Sequence, residues 1–278
     1  MRTRAITGIL FVIVMVGSVL LGQYVFGAFY LVLSSLTLYE FYKLVSENTA
    51  KPDVVAGIFN GVLVFAGFGL LILSNNMAMP LLLDYKTTHA LLFLLPVSSS
   101  MIFIRQLFTR AMMPFNNIGF TCLGILLVIA PFTFFFAMAY TGGAYNFHFP
   151  LAFLILLWSN DTGAYLVGRS FGKTKLFERH SPKKTWEGFI GGIIISAGIA
   201  LIIGHFFVEL KWNQWVSIAI LISCFGTLGD LVESMFKRSI NVKDSGGILP
   251  GHGGLLDRFD GLLLAAPVVY TYLYFVTT

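Results

Sequence analysis

Long apolar runs, separated by short segments that hold most of the charge, constrain this chain more than any other feature. They fall at roughly 5–22, 24–42, 54–74, 88–104, 117–140, 149–168, 188–208, 213–231 and 260–277. Each comes near the ~20 residues that a helix needs to cross a bilayer. In lipid a backbone must satisfy its own hydrogen bonds, so a helix is what such runs form. The expected fold is all-α, a polytopic bundle of about nine transmembrane helices. The eighth run is the least regular, because Gly226 and Gly229 interrupt it. Only 11% of the 278 residues are charged, against about 25% in a soluble domain. Charge that sparse cannot coat a water-facing surface, and 28 Phe exclude a disordered chain.

Lys and Arg set the orientation. With a cytoplasmic N-terminus and nine crossings, 16 of the 18 basic residues fall on one side, leaving Lys86 and Lys211 on the other. A wrong span count would mix the two sets. Met1-Arg2-Thr3-Arg4 resembles the start of a signal peptide, but no small-residue cleavage site follows, so an uncleaved first helix is expected. Cys122 and Cys224 sit in apolar runs without metal-ligand spacing and read as small buried hydrophobes.

The halves differ. Residues 1–150 form an N-terminal region of about five helices. Its acids, Glu40, Glu47, Asp53 and Asp84, lie near span ends and read as solvated loop charges. Residues 151–278 carry nine acids, eight of them on or near the cytoplasmic face, with loops expected at 169–187 and 232–259. Any chemistry belongs to this C-terminal region.

Four segments there carry it. Asp161, in Trp158–Tyr165, lies inside the sixth span, where an ionised carboxylate is costly unless paired. The basic loop 168–188 places Ser181, Lys183, Lys184 and Thr185 within five residues, types that contact phosphate. Its glycines (Gly168, Gly172 and Gly188) would let backbone approach a ligand. A topology signal or a dock for anionic lipid is the plainer alternative. In 226–238, a helix would align Asp230, Glu233, Ser234 and Lys237 in one polar stripe. In 243–261, a glycine-rich turn around His252 leads into a helix whose first N–H groups suit a phosphate. Asp257 and Asp260 stand one turn apart there, and two such carboxylates repel unless a cation lies between them. Oxygen-only ligands favour Mg²⁺ or Mn²⁺. Together these features equip a membrane bundle for metal-dependent transfer between phosphate groups, with a lipid as one reactant.

The run from Ser234 to Asp260 reads S-x-F-K-R-x4-K-D-x-G-x2-L-P-x-H-G-G-L-x-D-R-F-D. It resembles the signature of the phosphatidate cytidylyltransferases, or CDP-diacylglycerol synthases, at Ser234, Lys237, Arg238, Lys243, Asp244, His252, Gly253, Gly254, Asp257, Arg258 and Asp260. Asp161–Tyr165, Phe171–Lys173 and Ser181–Gly188 resemble the bacterial branch. The resemblance implies that CTP and phosphatidic acid give CDP-diacylglycerol and pyrophosphate. It also implies a homodimer in the bacterial inner membrane, with the site facing the cytoplasm, no nucleic-acid partner, Mg²⁺ as cofactor and K⁺ as a possible second cation. It places the cation at Asp230, Asp257 and Asp260. The catalytic set is then Asp230, Asp257, Asp260, Lys237, Arg238, Lys243 and Asp244, with Lys237, Arg238, Lys243 and Arg258 neutralising phosphate. The substrate-binding set is Asp161, Ser181, Lys183, Lys184, Thr185, His252, Gly253, Gly254 and Arg258. Two other readings remain: a CTP-dependent polyprenol or diacylglycerol kinase, and a divalent-cation transporter. The transporter sits poorly with acids gathered at one face rather than at the bilayer midplane.

Overall fold

The computed structural model describes residues 2–75, 85–247 and 253–277, with side chains described for 7–73, 93–247 and 253–277. Arg2, Arg4, Asp84, Lys86 and His252 therefore lie outside the described side chains. The helices are α1 (Arg2–Leu20), α2 (Gln23–Asn48), α3 (Val54–Asn75), α4 (Tyr85–Leu107), α5 (Pro114–Gly124), α6 (Ala130–Met138), α7 (His148–Phe171), α8 (Trp186–Phe206), α9 (Trp212–Ser239) and α10 (Leu256–Thr277). A π-helical turn, Ile125–Ile129, joins α5 to α6. There the N–H of Ile125 bonds to the Cys122 carbonyl, and the Tyr42 hydroxyl donates to the carbonyl of Thr121 at 2.6 Å.

Seven of these rods are long and apolar enough to cross a membrane: Gln23–Asn48, Val54–Leu73, Pro114–Met138, His148–Phe171, Trp186–Phe206, Trp212–Ser239 and Leu256–Thr277. The described apolar stretches of the other two, Thr7–Leu20 and Phe93–Leu107, are shorter. The outer surface is itself apolar, with Ile9, Ile13, Phe93, Phe115, Ile194 and Leu201 exposed. A water-soluble monomer does not expose that much contiguous hydrocarbon, so this is a helical polytopic membrane protein.

Consecutive rods alternate in direction. At one end, Asp53 pairs with Arg105 at 3.0 Å and Lys51 N–H donates to Asn117 Oδ1 at 2.8 Å. At the other, Tyr145 donates to the Val19 carbonyl and Thr277 to the Thr141 carbonyl. Glu209 lies at that second end. Partial burial pushes its carboxyl up, but hydrogen bonds from Asn146 and His148 outweigh this and hold it below the ordinary range.

One buried cluster runs from Met15 to Leu273 and includes both sides of position 150. Its rings link the halves: Phe132 meets Phe259 with centroids 5.1 Å apart, and Phe41 stacks on Phe236 at 5.1 Å. Three expectations change here. Asp53 is not a solvated loop charge; it caps α3 through the Ala56 N–H at 3.0 Å, and its side chain is 8% exposed in the pair with Arg105. Cys122 is exposed on the bundle's surface and Cys224 half-buried, so neither is fully enclosed. The segment expected to loop over 232–259 is helical to Ser239 and again from Leu256, because the polar stripe continues α9 past the apolar run.

Gly226 and Gly229 do not interrupt α9. Gly226 faces Gly261 of α10, and a side chain at Gly229 would strike the Asp260 backbone. Small residues let two membrane helices approach closely, which brings Asp230 on α9 beside Asp260 on α10. Between α7 and α8, Gly168 and Gly188 pack against each other and against Thr185. Their first use is helix contact rather than approach to a ligand. The basic loop folds as a two-stranded antiparallel hairpin, β1 (Lys175–Phe177) and β2 (Ser181–Thr185). Glu187 fastens it, accepting from the N–H groups of Lys173 and Thr174 at 3.1 Å each.

Candidate active site

The ends of α7, α8, α9 and α10 meet where α1 begins, and two cavities open there. The first, of about 300 Å³, is lined by Thr7, Gly8, Phe11, Val12, Trp158, Asp161, Gly226, Asp230, Asp257, Arg258, Asp260 and Gly261. The second, of about 480 Å³, takes its walls from α7, α8, α9 and the hairpin, and its charged groups are Asp161, Arg169, Lys183, Lys184 and Asp230. Asp161 and Asp230 belong to both. Lys184 reaches from the hairpin to Asp230, with Nζ 2.6 Å from Oδ2, and stands at the boundary. The first cavity is therefore acidic with an apolar wall, and the second is basic.

The stripe on α9 forms as its spacing predicts. Ser234 Oγ donates to Asp230 Oδ1 at 3.3 Å, and Lys237 Nζ lies 2.5 Å from Glu233 Oε2 one turn back. Lys237 also donates to Asp257 Oδ1 at 2.6 Å, joining α9 to α10. The side chains of Glu233, Lys237 and Asp257 are only 2%, 12% and 13% exposed. A charge that deep persists only when paired, and here one ammonium serves two carboxylates.

Asp257 receives more than the lysine. The N–H groups of Ser245 and Gly254 donate to its Oδ2 at 3.1 and 3.0 Å. Gly253, at φ +82°, turns the chain so that Gly254 can do so, in a conformation L side chains rarely adopt. Asp260 differs. Its Oδ1 accepts from the N–H of Gly261 at 2.7 Å, and the charges acting on it most strongly are the carboxylates of Asp230, Glu233 and Asp161.

The other residues singled out from sequence distribute as follows. Lys183 and Thr185 line the basic cavity, and Thr185 also caps α8, accepting from the N–H of Gly188 at 3.2 Å. Arg258 lines the acidic cavity. Ser181 opens β2 outside both cavities, and Lys243 and Asp244 are exposed beyond them. Arg238 closes the turn after α9 by donating to the Val242 carbonyl at 3.3 Å. The expectation that the first N–H groups of α10 face a phosphate changes at Leu256. Its N–H donates instead to Glu40 Oε2 at 2.9 Å. Glu40 is thus a buried member of the site's frame, 3% exposed, and not a solvated loop charge. No local pattern marks it, because its partner lies 216 residues away.

The donor types are those that a hard divalent cation takes. Four carboxylates line one cavity without Cys or His, and Mg²⁺ takes oxygen ligands. Counting the buried partners, five acids (Asp161, Asp230, Glu233, Asp257 and Asp260) face three bases (Lys184, Lys237 and Arg258). Among the described residues no three acids stand close enough to hold an ion jointly as placed. Lys184 and Lys237 occupy two of them.

A membrane bundle with a basic cavity on one side of a carboxylate cluster and an apolar-walled pocket on the other defines a class: membrane-embedded enzymes of phosphate-group transfer. The chain belongs to the cytidylyltransferase family, whose model matches residues 2–276. Its relatives include the phosphatidate cytidylyltransferase of Staphylococcus haemolyticus, 35% identical over 271 residues, 97% of each chain. That of Staphylococcus aureus (strain COL) is 36% identical over 273 residues, again 97% of each. The Bacillus subtilis protein of the same name is 33% identical over 272 residues, covering 97% of this chain and 96% of its own.

Proposed function

We propose that this chain transfers the cytidylyl group of CTP to phosphatidic acid, giving CDP-diacylglycerol and pyrophosphate. The observation that carries this reading is the pair of unlike cavities meeting at Asp161, Asp230 and Lys184. The basic cavity suits a triphosphate: Lys183, Lys184 and Arg169 offset its charge. The acidic cavity suits the lipid. Phe11, Val12 and Trp158 give it an apolar wall, and Arg258 supplies a cation for one phosphate.

An oxygen of the lipid phosphate attacks the α-phosphorus of CTP. The new P–O bond forms as the bond from the α-phosphorus to the bridging oxygen breaks, and pyrophosphate leaves with that electron pair. The nucleophile is an anion near neutral pH, so no strong base is needed. The obstacle is repulsion between two anions, and the protein's part is positioning and neutralisation. Lys184 stands at the junction to neutralise the phosphates from the CTP side, and Arg258 does so from the lipid side. Lys237 holds Asp257 and Glu233 in place. Asp230, Asp257 and Asp260 would hold Mg²⁺, as the family resemblance implies. When bound, the ion supplies charge neutralisation on the triphosphate and its leaving group. We further propose nine crossings, a cytoplasmic N-terminus and a site facing the cytoplasm of a bacterial inner membrane. The alternating rods and the one-sided placement of Lys and Arg support that orientation.

Incubating the detergent-purified chain with radiolabelled CTP and phosphatidic acid tests the reading. Label should enter the lipid phase with release of pyrophosphate, and a chelator should abolish transfer. Release of CDP would instead identify a lipid kinase, and cation flux into liposomes without CTP would identify a transporter. Lys183→Ala should raise the KM for CTP about 5- to 20-fold, by removing one charge-assisted phosphate contact, with little change in Tm. An unchanged KM would return Lys183 to the topology signal alone.

A further inference from the structure

Glu40 has no part in the reaction derived above, yet it occupies the centre of the turn that carries Asp257. Its carboxylate is wedged between two glycine segments that are separated in sequence. A side-chain carbon at Gly246 would lie 2.9 Å from Glu40 Cδ, and one at Gly254 would lie 2.7 Å from it. Glu40 Oε2 accepts from the N–H of Leu256, and Oε1 is buried with no hydrogen-bond partner among the described residues. Phe41, the next residue of α2, stacks on Phe236 of α9 and fixes the register of α2 against the site. Asp257 also accepts from the backbone of the same two segments, at Ser245 and Gly254. The two segments are thus held by two carboxylates, one from each half of the chain.

We propose that Glu40 is a positioning residue for the cytidylyl transfer, clamping 244–247 against 253–256 and so setting where Asp257 presents its carboxylate to the acidic cavity. The inference rests on the proposed function for its consequence in catalysis, but the clamp itself is measurable without substrate. A carboxylate suits the position because Oε2 accepts from the N–H of Leu256 at the start of α10, where negative charge also complements the helix dipole. Alanine would leave the N–H of Leu256 buried and unpaired. Glutamine keeps the shape and one acceptor.

The test uses the full-length chain in detergent, as wild type, Glu40→Ala and Glu40→Gln. Amide hydrogen exchange is read without substrate, and transfer kinetics are read with CTP and phosphatidic acid. In Glu40→Ala, exchange across 244–257 should quicken about 10- to 100-fold, the loss of one buried charge-assisted hydrogen bond, while 196–206 is unchanged. Its kcat should fall by a similar factor with the KM for CTP within about threefold of wild type, since positioning rather than CTP binding is lost. Glu40→Gln should lie between, nearer wild type in both readouts. Where Glu40→Ala fails to purify, Gly254→Ala, which fills the clamp from its other side, should reproduce the rapid exchange. Wild-type exchange across 244–257 in Glu40→Ala or, in its place, Gly254→Ala overturns the clamp. So does a Glu40→Gln variant as inactive as Glu40→Ala with normal exchange, because the charge would then act in the chemistry directly. A wild-type chain that transfers no cytidylyl group overturns the proposed function, and the exchange data still decide the clamp.

Discussion

Lys237→Met should leave a chain that is both inactive and markedly less stable, by about 3–5 kcal/mol, the range for removing one partner from a buried ion pair. Methionine keeps the length and volume of the side chain, so packing is nearly preserved. What disappears is the ammonium that lies 2.5 Å from Glu233 and 2.6 Å from Asp257. Both carboxylates would remain with side chains 2% and 13% exposed, each repelling the other. Thermal unfolding in detergent reads the stability term, and transfer of label from CTP to lipid reads the activity, which should drop about 100-fold or more as the preorganised charges are lost. Lys237→Met combined with Glu233→Gln separates the two effects. Neutralising Glu233 removes one of the stranded charges, so Tm should recover in part. Asp257 would still lack its lysine, so activity should not return. A single variant that melts with wild type would show that the three-residue bridge contributes nothing to the fold.

The architecture was legible in the sequence for a physical reason. A backbone in lipid has no water to bond with, so the long apolar runs had to become helices, seven of which, among the described residues, are long and apolar enough to cross a membrane. The stripe Asp230, Glu233, Ser234, Lys237 was legible because helical spacing puts those residues on one face, and the pairs Asp230–Ser234 and Glu233–Lys237 form. Four features escaped. Gly226 and Gly229 read as breaks in a span, since a glycine's cost to a helix is local and visible, whereas its benefit needs the partner backbone of Asp260 and Gly261 to be known. Glu40 read as a solvated charge near a span end, because the groups that bury it lie on the opposite flank of the chain. The commitment of Asp257 to backbone donors escaped as well. Two acids one turn apart give the same sequence pattern whether both face an ion or one is turned to a lysine and two N–H groups. The hairpin at 175–185 is too short to announce itself by alternation.

Asp257→Asn is the substitution on which the reading of the acidic cavity turns. Among the described residues, the hydrogen-bond partners of Asp257 are donors: Lys237 Nζ, the N–H of Ser245 and the N–H of Gly254. An amide offers one acceptor oxygen where the carboxylate has two, and its NH₂ group must face a donor. The mismatch should cost about 1–3 kcal/mol of stability, less than Lys237→Met, and the chain should remain folded. Turnover should fall about 1000-fold, because the site loses either a ligand for the cation that offsets the phosphates' charge or the staple that fixes the turn. A Mg²⁺ titration decides which role dominates. If Asp257 helps to hold the ion, the activation curve moves to higher Mg²⁺ and exchange across 244–257 changes little. If it acts chiefly as a staple for the turn, exchange rises as in Glu40→Ala and the Mg²⁺ requirement stays put. Near wild-type turnover at low Mg²⁺ would remove Asp257 from the cation site and leave Asp230 and Asp260, with Asp161, as the acids facing that cavity.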